Sequence, residues 1–420
     1  MTAGTLAQAL EQHKVDFSQL YRDYKPMLKL VEQLIGVVPN CDPYLEIWPT
    51  GFRTYNMLVP NLLNLPKALV GQGAPKDLVG LGMYASSRSA GCMYCSAHTC
   101  AYAIRRGISQ ESLTEAQTPA ERAVADAADA LGKIPSRLTP EHVQNLHQHL
   151  SVADAEWVAL GIGLMGFLNK FMDAMGIELE AEVISSVEEL IAPTGWKRGK
   201  HQWKDNYDLE GLDKDIPVDG FRRYLKVLRH GPAAARLEGR WTKGMSRQLG
   251  SALVSLEEEV GYAFPILGHI SHKRVVRALA TVLRDNLDAE TTTVGLDTKV
   301  MVAAVFAQIA QSEMLTAESV YLASLVEPNV DIDTMVQVGK FALDPPETAT
   351  VPAWLSGTQS AALILAKASS TSPSDVNEIT ISTVAERLRP EQTVEILTWM
   401  SVLQMFNRLY SYYNARLSIA

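Results

Sequence analysis

The sequence predicts an all-α protein made of two related helical halves, and three observations carry that prediction. Apolar residues recur at helical spacing in segment after segment, with Thr or Pro at several starts and Gly at an end. The chain is 420 residues long, more than one ordinary helical domain. Two stretches of the first half also return in the second at one offset of 238 residues: NKF from 169 on NRL from 407, and AVADAADALGKIPS from 123 on AALILAKASSTSPS from 361. Two segments agreeing on one offset point to internal duplication.

In chain order, the N-terminal run MTAGTLAQALEQHKVDF lacks a basic start followed by an apolar core, so no signal peptide is expected. Residues 16 to 36 read as a helix of mixed polarity. The Pro- and Trp-bearing run 38 to 51 reads as a loop, and nothing in it activates the thiol of Cys41. Phe52 to Leu65 is apolar at helical spacing and is ended by Pro66. Residues 76 to 90 form the helix that leads into Ser89 to Arg106, and Gly107 closes the helix that follows. Thr118 and Pro119 start an Ala-rich helix over 119 to 132. Thr139-Pro140-Glu141 opens a short helix to Leu150, whose His142, His147 and His149 do not share one face and so predict no metal site. Asp154 begins a long helix that carries Asn169. Its most apolar part, Trp157 to Leu168, is broken by glycines, and no run is expected to reach the roughly 20 apolar residues of a membrane span.

Residues 192 to 245 break the helical pattern with Pro193, Gly195, Gly199, Gly211, Pro217 and Gly220. They also carry Trp196, Trp203, Tyr207, Phe221, Tyr224 and Trp241, too many rings for a flexible linker. Two readings stand: a structural strap, or a cover over the reactive site in which His201 and Trp203 select substrate. The expected units are therefore 1–191, a connector 192–245, and 246–420. In the last unit Thr298 to Ser324 reads as the counterpart of the Ser89 region, but no cysteine follows position 100. The second half is thus expected to be a scaffold, with Glu313 and Glu318 at its surface.

Composition bounds the partners. A net charge of −9, with no long Lys/Arg cluster, excludes a nucleic-acid surface. Four cysteines, three of them within nine positions, form no disulfide framework and fit a reducing cytoplasm.

The chemistry concentrates in SAGCMYCSAHTCAYAIRR, residues 89 to 106. Cys92, Cys95 and His98 recur at intervals of three, which on a helix keeps them in one stripe, while Cys100 falls away. A thiolate near a helix N-terminus is stabilised by backbone amides, and Gly91 reads as the helix start. His98 is placed to take a thiol proton, and two thiols three apart form a local disulfide. Buried packing and half a zinc site compete with a redox pair. Zinc is weakened by the absence of a second CxxC, although Cys100 supplies one further thiol. No cofactor or metal is expected.

The run AGCMYCSAHTCAYA resembles the CxxCxxH or CxxCxxxH segment of the carboxymuconolactone decarboxylase and AhpD-like alkylhydroperoxidase superfamily. The run AEWVALGIGLMGFLNKFMDAMGIELE, residues 155 to 180, is similar to the closing helix of that family, with its Asn-Arg/Lys-aromatic signature at Asn169, Lys170 and Phe171. The resemblance spans about residues 25 to 180. It implies an all-helical fold, usually oligomeric, here two fused AhpD-like repeats forming a pseudo-dimer. It also implies a thiol-dependent peroxidase that takes a hydroperoxide or other small molecule and is re-reduced by a dithiol or redox partner protein. Cys92, Cys95 and His98 carry over as site residues. Family peroxidases usually hold a Glu about twelve residues before the first cysteine. That position is Gly80 here, so either Asp77 takes the role from one turn earlier, or Tyr84, Ser87 or a residue from elsewhere assists His98, or the peroxidase chemistry is weak. Either sulfur can be the attacking one. A redox-sensitive scaffold and a decarboxylase-like lyase are the alternative functions.

Overall fold

The computed structural model describes residues 4–63, 75–326, 328–345 and 350–419, and Pro66 lies outside them. Among the described residues there are helices, turns and loops but no strand. Helices of ten residues or more are numbered in chain order. The first part holds α1 (Phe17–Ile35), α2 (Pro49–Leu62), α3 (Lys76–Ser89), α4 (Met93–Arg106), α5 (Pro119–Gly132), α6 (Pro140–His149), α7 (Val152–Met175) and α8 (Ala181–Ile191). Next come α9 (Phe221–Trp241) and α10 (Leu249–Val260). The second part holds α11 (Lys273–Asn286), α12 (Leu296–Ala310), α13 (Glu313–Leu325), α14 (Ile332–Leu343), α15 (Gly357–Ser370), α16 (Glu378–Arg387) and α17 (Pro390–Leu417).

Local chemistry explains the boundaries. At α5 the Thr118 hydroxyl accepts the Glu121 N–H, the Glu121 carboxylate accepts the Thr118 N–H, and Pro119 occupies the first turn. Such a cap is worth about 1 kcal/mol. Gly107, at φ +109°, ends α4 in the left-handed region.

α7 and α17 pack against each other along the middle of the molecule. Each is buried on nearly every side, so neither needs a polar face. Contrary to expectation, Val152–Met175 does meet the length and mean hydropathy of a membrane span, but 94% of its apolar window is buried inside the protein. The glycines in it serve close packing rather than breaking the helix. A Cβ on Gly166 would stand 2.9 Å from the Gln404 carbonyl oxygen and 3.0 Å from Met405 Cα.

The element order of the first part returns in the second. Helices α15, α16 and α17 begin 238 positions after α5, α6 and α7 respectively. The α12–α13 hairpin has the connectivity of α3–α4, and each turn contains one residue of positive φ, Gly91 at +70° and Gln311 at +51°, 220 positions apart. The two offsets differ because α14 is longer than the short helix Gln110–Thr114 that stands in its place ahead of α5. Across the pair, α7 meets α17 and α2 meets α11, so equivalent surfaces face each other as in a two-fold dimer.

The connector departs from expectation. Residues 221–241 form a 21-residue helix with Pro232 inside it. Val227, Ala234 and Leu237 make one apolar stripe that packs on Met27, Leu30 and Leu34 of α1. The Gly-Pro pair at 231 and 232 and the many basic residues mask that stripe in the sequence.

Candidate functional site

The turn between α3 and α4 sets the dithiol. Cys92 is the N-cap of α4, and its Sγ accepts the Cys95 backbone N–H at 3.3 Å. Ser96 and Thr99 turn their hydroxyls back onto the Cys92 and Cys95 carbonyls, at 2.8 and 2.6 Å. Both thiols are free and buried. Burial and the neighbouring Cys92 sulfur push the Cys95 thiol well above its ordinary range, so at rest it holds its proton. Cys100 points elsewhere, and burial pushes its thiol up to about 12.

One turn beyond Cys95, His98 Nε2 meets Glu180 Oε2 at 2.7 Å. The other Glu180 oxygen accepts the Tyr94 hydroxyl and the Asn40 N–H, each at 2.6 Å. Burial would raise the Glu180 carboxyl, yet His98, Tyr94 and Asn40 together hold it below the usual carboxylate range. A carboxylate fixed on Nε2 leaves Nδ1 of His98 as the nitrogen that can exchange a proton with a thiol. The Tyr94 and His98 rings lie 4.3 Å apart, which orients the imidazole further.

Glu180 is thus the acid partner of His98, in place of the candidates nearer the motif. Asp77 is exposed in the first turn of α3. Gly80 has no room for any side chain, since a Cβ there would lie 2.9 Å from Ala103 Cα, where α3 crosses α4. Tyr84 is buried with Arg88 over its ring and does not line the cavity at Cys95. His201 and Trp203 are corrected as well, since neither lines that cavity. His201 is 1% exposed, its Nδ1–H donates to the Ile177 carbonyl at 2.7 Å, and its own carbonyl accepts the Leu179 N–H. Trp203 Nε1 donates to the Gly176 carbonyl at 3.1 Å. Both clamp the segment 176–180, which makes them positioning residues for Glu180. Burial pulls His201 down to about 4, so it works there as a neutral donor.

Two neighbouring spaces flank the site. An inner chamber of about 50 Å³ is lined by Cys95, His98, Tyr55, Tyr94, Met83 and Met165 among other mostly apolar groups. Outside it, an open cleft of about 910 Å³ shares Ile35 and His98 with the chamber and has residues 211–217 of the connector along one wall.

Residues of the second half also lie near the dithiol. Arg408 of α17 is buried, with Nη1 on the Ile162 carbonyl at 3.0 Å and with Nε and Nη2 unpartnered. Burial pulls its guanidinium down to about 9, opposed by the nearby Cys95 and Cys92. Lys170 gives its three protons to the carbonyls of Ser369, Ser370 and Thr371, at the end of α15. Asp173 accepts from the Ser374 N–H and hydroxyl, both at 2.7 Å. Pro373 then rests where a Cβ on Gly91 would stand, 2.9 Å away, so this loop braces the turn before Cys92.

At the positions 220 after Cys92, Cys95 and His98 stand Ser312, Leu315 and Glu318. Glu313 is exposed as expected, but Glu318 is buried, bonded by the Tyr410 hydroxyl. Its place corresponds to His98, which the charge rule for surfaces does not see. His142 caps Thr139 through Nδ1, and among the described residues no group of three His, Cys, Asp or Glu side chains is arranged to hold a metal ion.

Sequence reasoning missed Glu180, though the run quoted for the closing helix ends on it. It also left Arg408 without a role, although that residue is the cation of the second NRL motif.

No family model and no curated protein matches the chain. Among solved structures, it is similar to the debrominase Bmp8, in the apo form and as a Cys-to-Ala variant in complex with 2,3,4-tribromopyrrole. Each is 25% identical with a TM-score of 0.37, over 42% of this chain and 96% and 95% of those chains respectively.

Proposed function

We propose that this chain is a thiol-dependent peroxidase of the AhpD-like type, reducing organic hydroperoxides. One observation carries the reading: Cys95, bonded through its N–H to Cys92 Sγ, and His98, bonded to Glu180, line the same small apolar chamber. Cys95 lines the chamber, so it is the sulfur that meets the peroxide. His98 takes the Cys95 proton through Nδ1, and the imidazolium is held by the Glu180 carboxylate. The thiolate attacks the terminal peroxide oxygen. An S–O bond forms, the O–O bond breaks, and the alkoxide leaves with the proton from His98 as an alcohol. Cys92 then attacks the sulfenic acid, forming the Cys92–Cys95 disulfide and releasing water. Two electrons from an external dithiol, small or protein-borne, restore both thiols.

The test is consumption of cumene hydroperoxide by reduced protein with dithiothreitol as donor. Cys95→Ser and Cys92→Ser are expected to abolish turnover, and His98→Ala to lower it by roughly 10²-fold or more. No turnover above free dithiol, with a Cys92–Cys95 disulfide that still forms and is still reduced, removes the peroxidase reading in favour of a redox-sensitive scaffold. Complete burial of both thiols is the feature that favours that second reading.

A further inference from the structure

The cleft outside His98 is lined by cationic groups that thiol chemistry does not use, Arg105 among them. On the face of α4 that bears Cys95 and His98, Arg105 follows two turns after His98. Its guanidinium lies over Gly36, which has φ +103° and whose missing Cβ would sit only 1.4 Å from Nη1. Nε and Nη1 of Arg105 are buried without a hydrogen-bond partner. Nearby, Arg106 and Arg223 both pair with Asp219, at 3.0 and 2.9 Å, and the Asp219 side chain is 4% exposed. Two guanidiniums thus share one carboxylate, and Arg105 lies close enough to feel all three groups. Burial first, then Arg223, pulls Arg105 down to about 10, which leaves it charged at neutral pH. Arg105, Arg223 and Lys226 all line the cleft. Of its acids, Glu32 is bound to Lys29 at 2.6 Å, Glu180 is committed to His98, and Glu182, Asp213 and Asp215 are exposed to solvent.

We infer that the cleft is a carboxylate site, in which Arg105 holds the head of an amphipathic acid whose chain passes Ile35 and His98 into the chamber at Cys95. Buried guanidinium nitrogens without acceptors are costly, and a carboxylate at the cleft end of Arg105 supplies charge-matched acceptor oxygens. The reach is set by the helix. Ten residues separate Cys95 from Arg105, about 15 Å of rise, shortened by the lean of a long side chain toward the N-terminus. A medium-length acyl chain spans that distance. What happens at its far end rests on the peroxidase reading, and the substrate class is then a fatty-acid hydroperoxide.

The experiment separates binding from turnover. Calorimetry on the full chain compares dodecanoate, dodecanol and dodecylammonium, none of which carries a peroxide. Wild type is expected to bind dodecanoate about tenfold or more tighter than dodecanol, as one charge-assisted pair gives. Arg105→Met should erase that preference and leave dodecanol binding unchanged, with Arg105→Lys intermediate because it keeps charge but loses the guanidinium. Equal binding of acid and alcohol by wild type, or tighter binding of dodecylammonium, overturns the proposal without any variant having to fold. A preference that survives in Arg105→Met also overturns it. Turnover of linoleic acid hydroperoxide against its methyl ester is the second arm, and the acid is expected to show the lower KM in wild type only. Selective dodecanoate binding with no turnover of either hydroperoxide keeps the carboxylate site and refutes the peroxidase.

Discussion

Replacing Glu180 by glutamine keeps the shape of the side chain and removes the charge that His98 rests on. The carboxylate receives three groups, His98 Nε2, the Tyr94 hydroxyl and the Asn40 N–H, within 2.6 to 2.7 Å. A glutamine offers one oxygen and one NH₂, so at least one of these donors meets another donor. A charge-assisted bond of this kind contributes about 1.5–3 kcal/mol, and a buried donor left without an acceptor costs about 1–3 kcal/mol. If that stabilisation is felt in the proton-transfer step, the rate falls by about 10- to 100-fold. The assay is hydroperoxide consumption at saturating dithiol, together with the rate of Cys95 alkylation as a readout that needs no peroxide. Both should fall in Glu180→Gln. The double variant with His98→Ala should lose little more than His98→Ala alone, because the carboxylate acts through the imidazole. Asp77→Asn is the control and should leave turnover unchanged. Wild-type rates in Glu180→Gln, or an equal loss in Asp77→Asn, would refute the relay.

Four other outcomes follow from the same geometry. Arg408→Met removes a buried cation that feels both sulfurs of the dithiol, so the pH midpoint of thiol alkylation should rise by about one unit, while urea stability holds or improves as two unpartnered guanidinium nitrogens disappear; an unchanged midpoint counts against the second half having any part in the chemistry. Lys170→Met leaves three carbonyls at the end of α15 without donors and should cost about 3 kcal/mol or more in urea unfolding. Gly80→Glu, which installs an acid about twelve residues before Cys92, should lower stability by about 1–3 kcal/mol through collision with Ala103, without raising turnover. Burial pushes the Glu318 carboxyl up to about 8, so its contribution is complete below the ordinary carboxylate range and is lost as pH rises through 8; wild type should lose about 1.4 kcal/mol per pH unit across that window relative to Glu318→Gln.

Much of the fold was legible because its signals are local. Thr118-Pro119 and Gly107 mark helix boundaries by capping chemistry alone, and the spacing of Cys92, Cys95 and His98 puts them on one helix face without tertiary information. The acid was not legible for the opposite reason. Glu180 lies 82 residues from His98, at the end of a segment pinned by His201 and Trp203, and no local pattern records a contact made through a fold. Gly80 was legible only as an absence. The structure adds its cause, the crossing of α3 over α4 at Ala103, which leaves room for no side chain there. The helix α9 was hidden because Pro232 and six arginines between 222 and 247 outweigh a three-residue apolar stripe that matters only against α1.

The two halves divide the work unequally, and the buried polar groups show how. Where the first half has a thiol pair and a histidine, the second has Ser312, Leu315 and Glu318, which can neither be oxidised nor relay a proton to a sulfur. Yet the Asn-Lys and Asn-Arg pairs at 169–170 and 407–408 occupy equivalent places on α7 and α17 and have diverged toward one centre. Lys170 reaches across to fasten the end of α15, which seats Pro373 against the turn before Cys92. Arg408 reaches the other way, with unpartnered nitrogens close to the dithiol. A buried guanidinium with free donors is a cost that packing alone does not repay. It is intelligible if a thiolate forms beside it during the reaction, because the charge that is unpaired in the resting protein then gains its partner at the step that needs it.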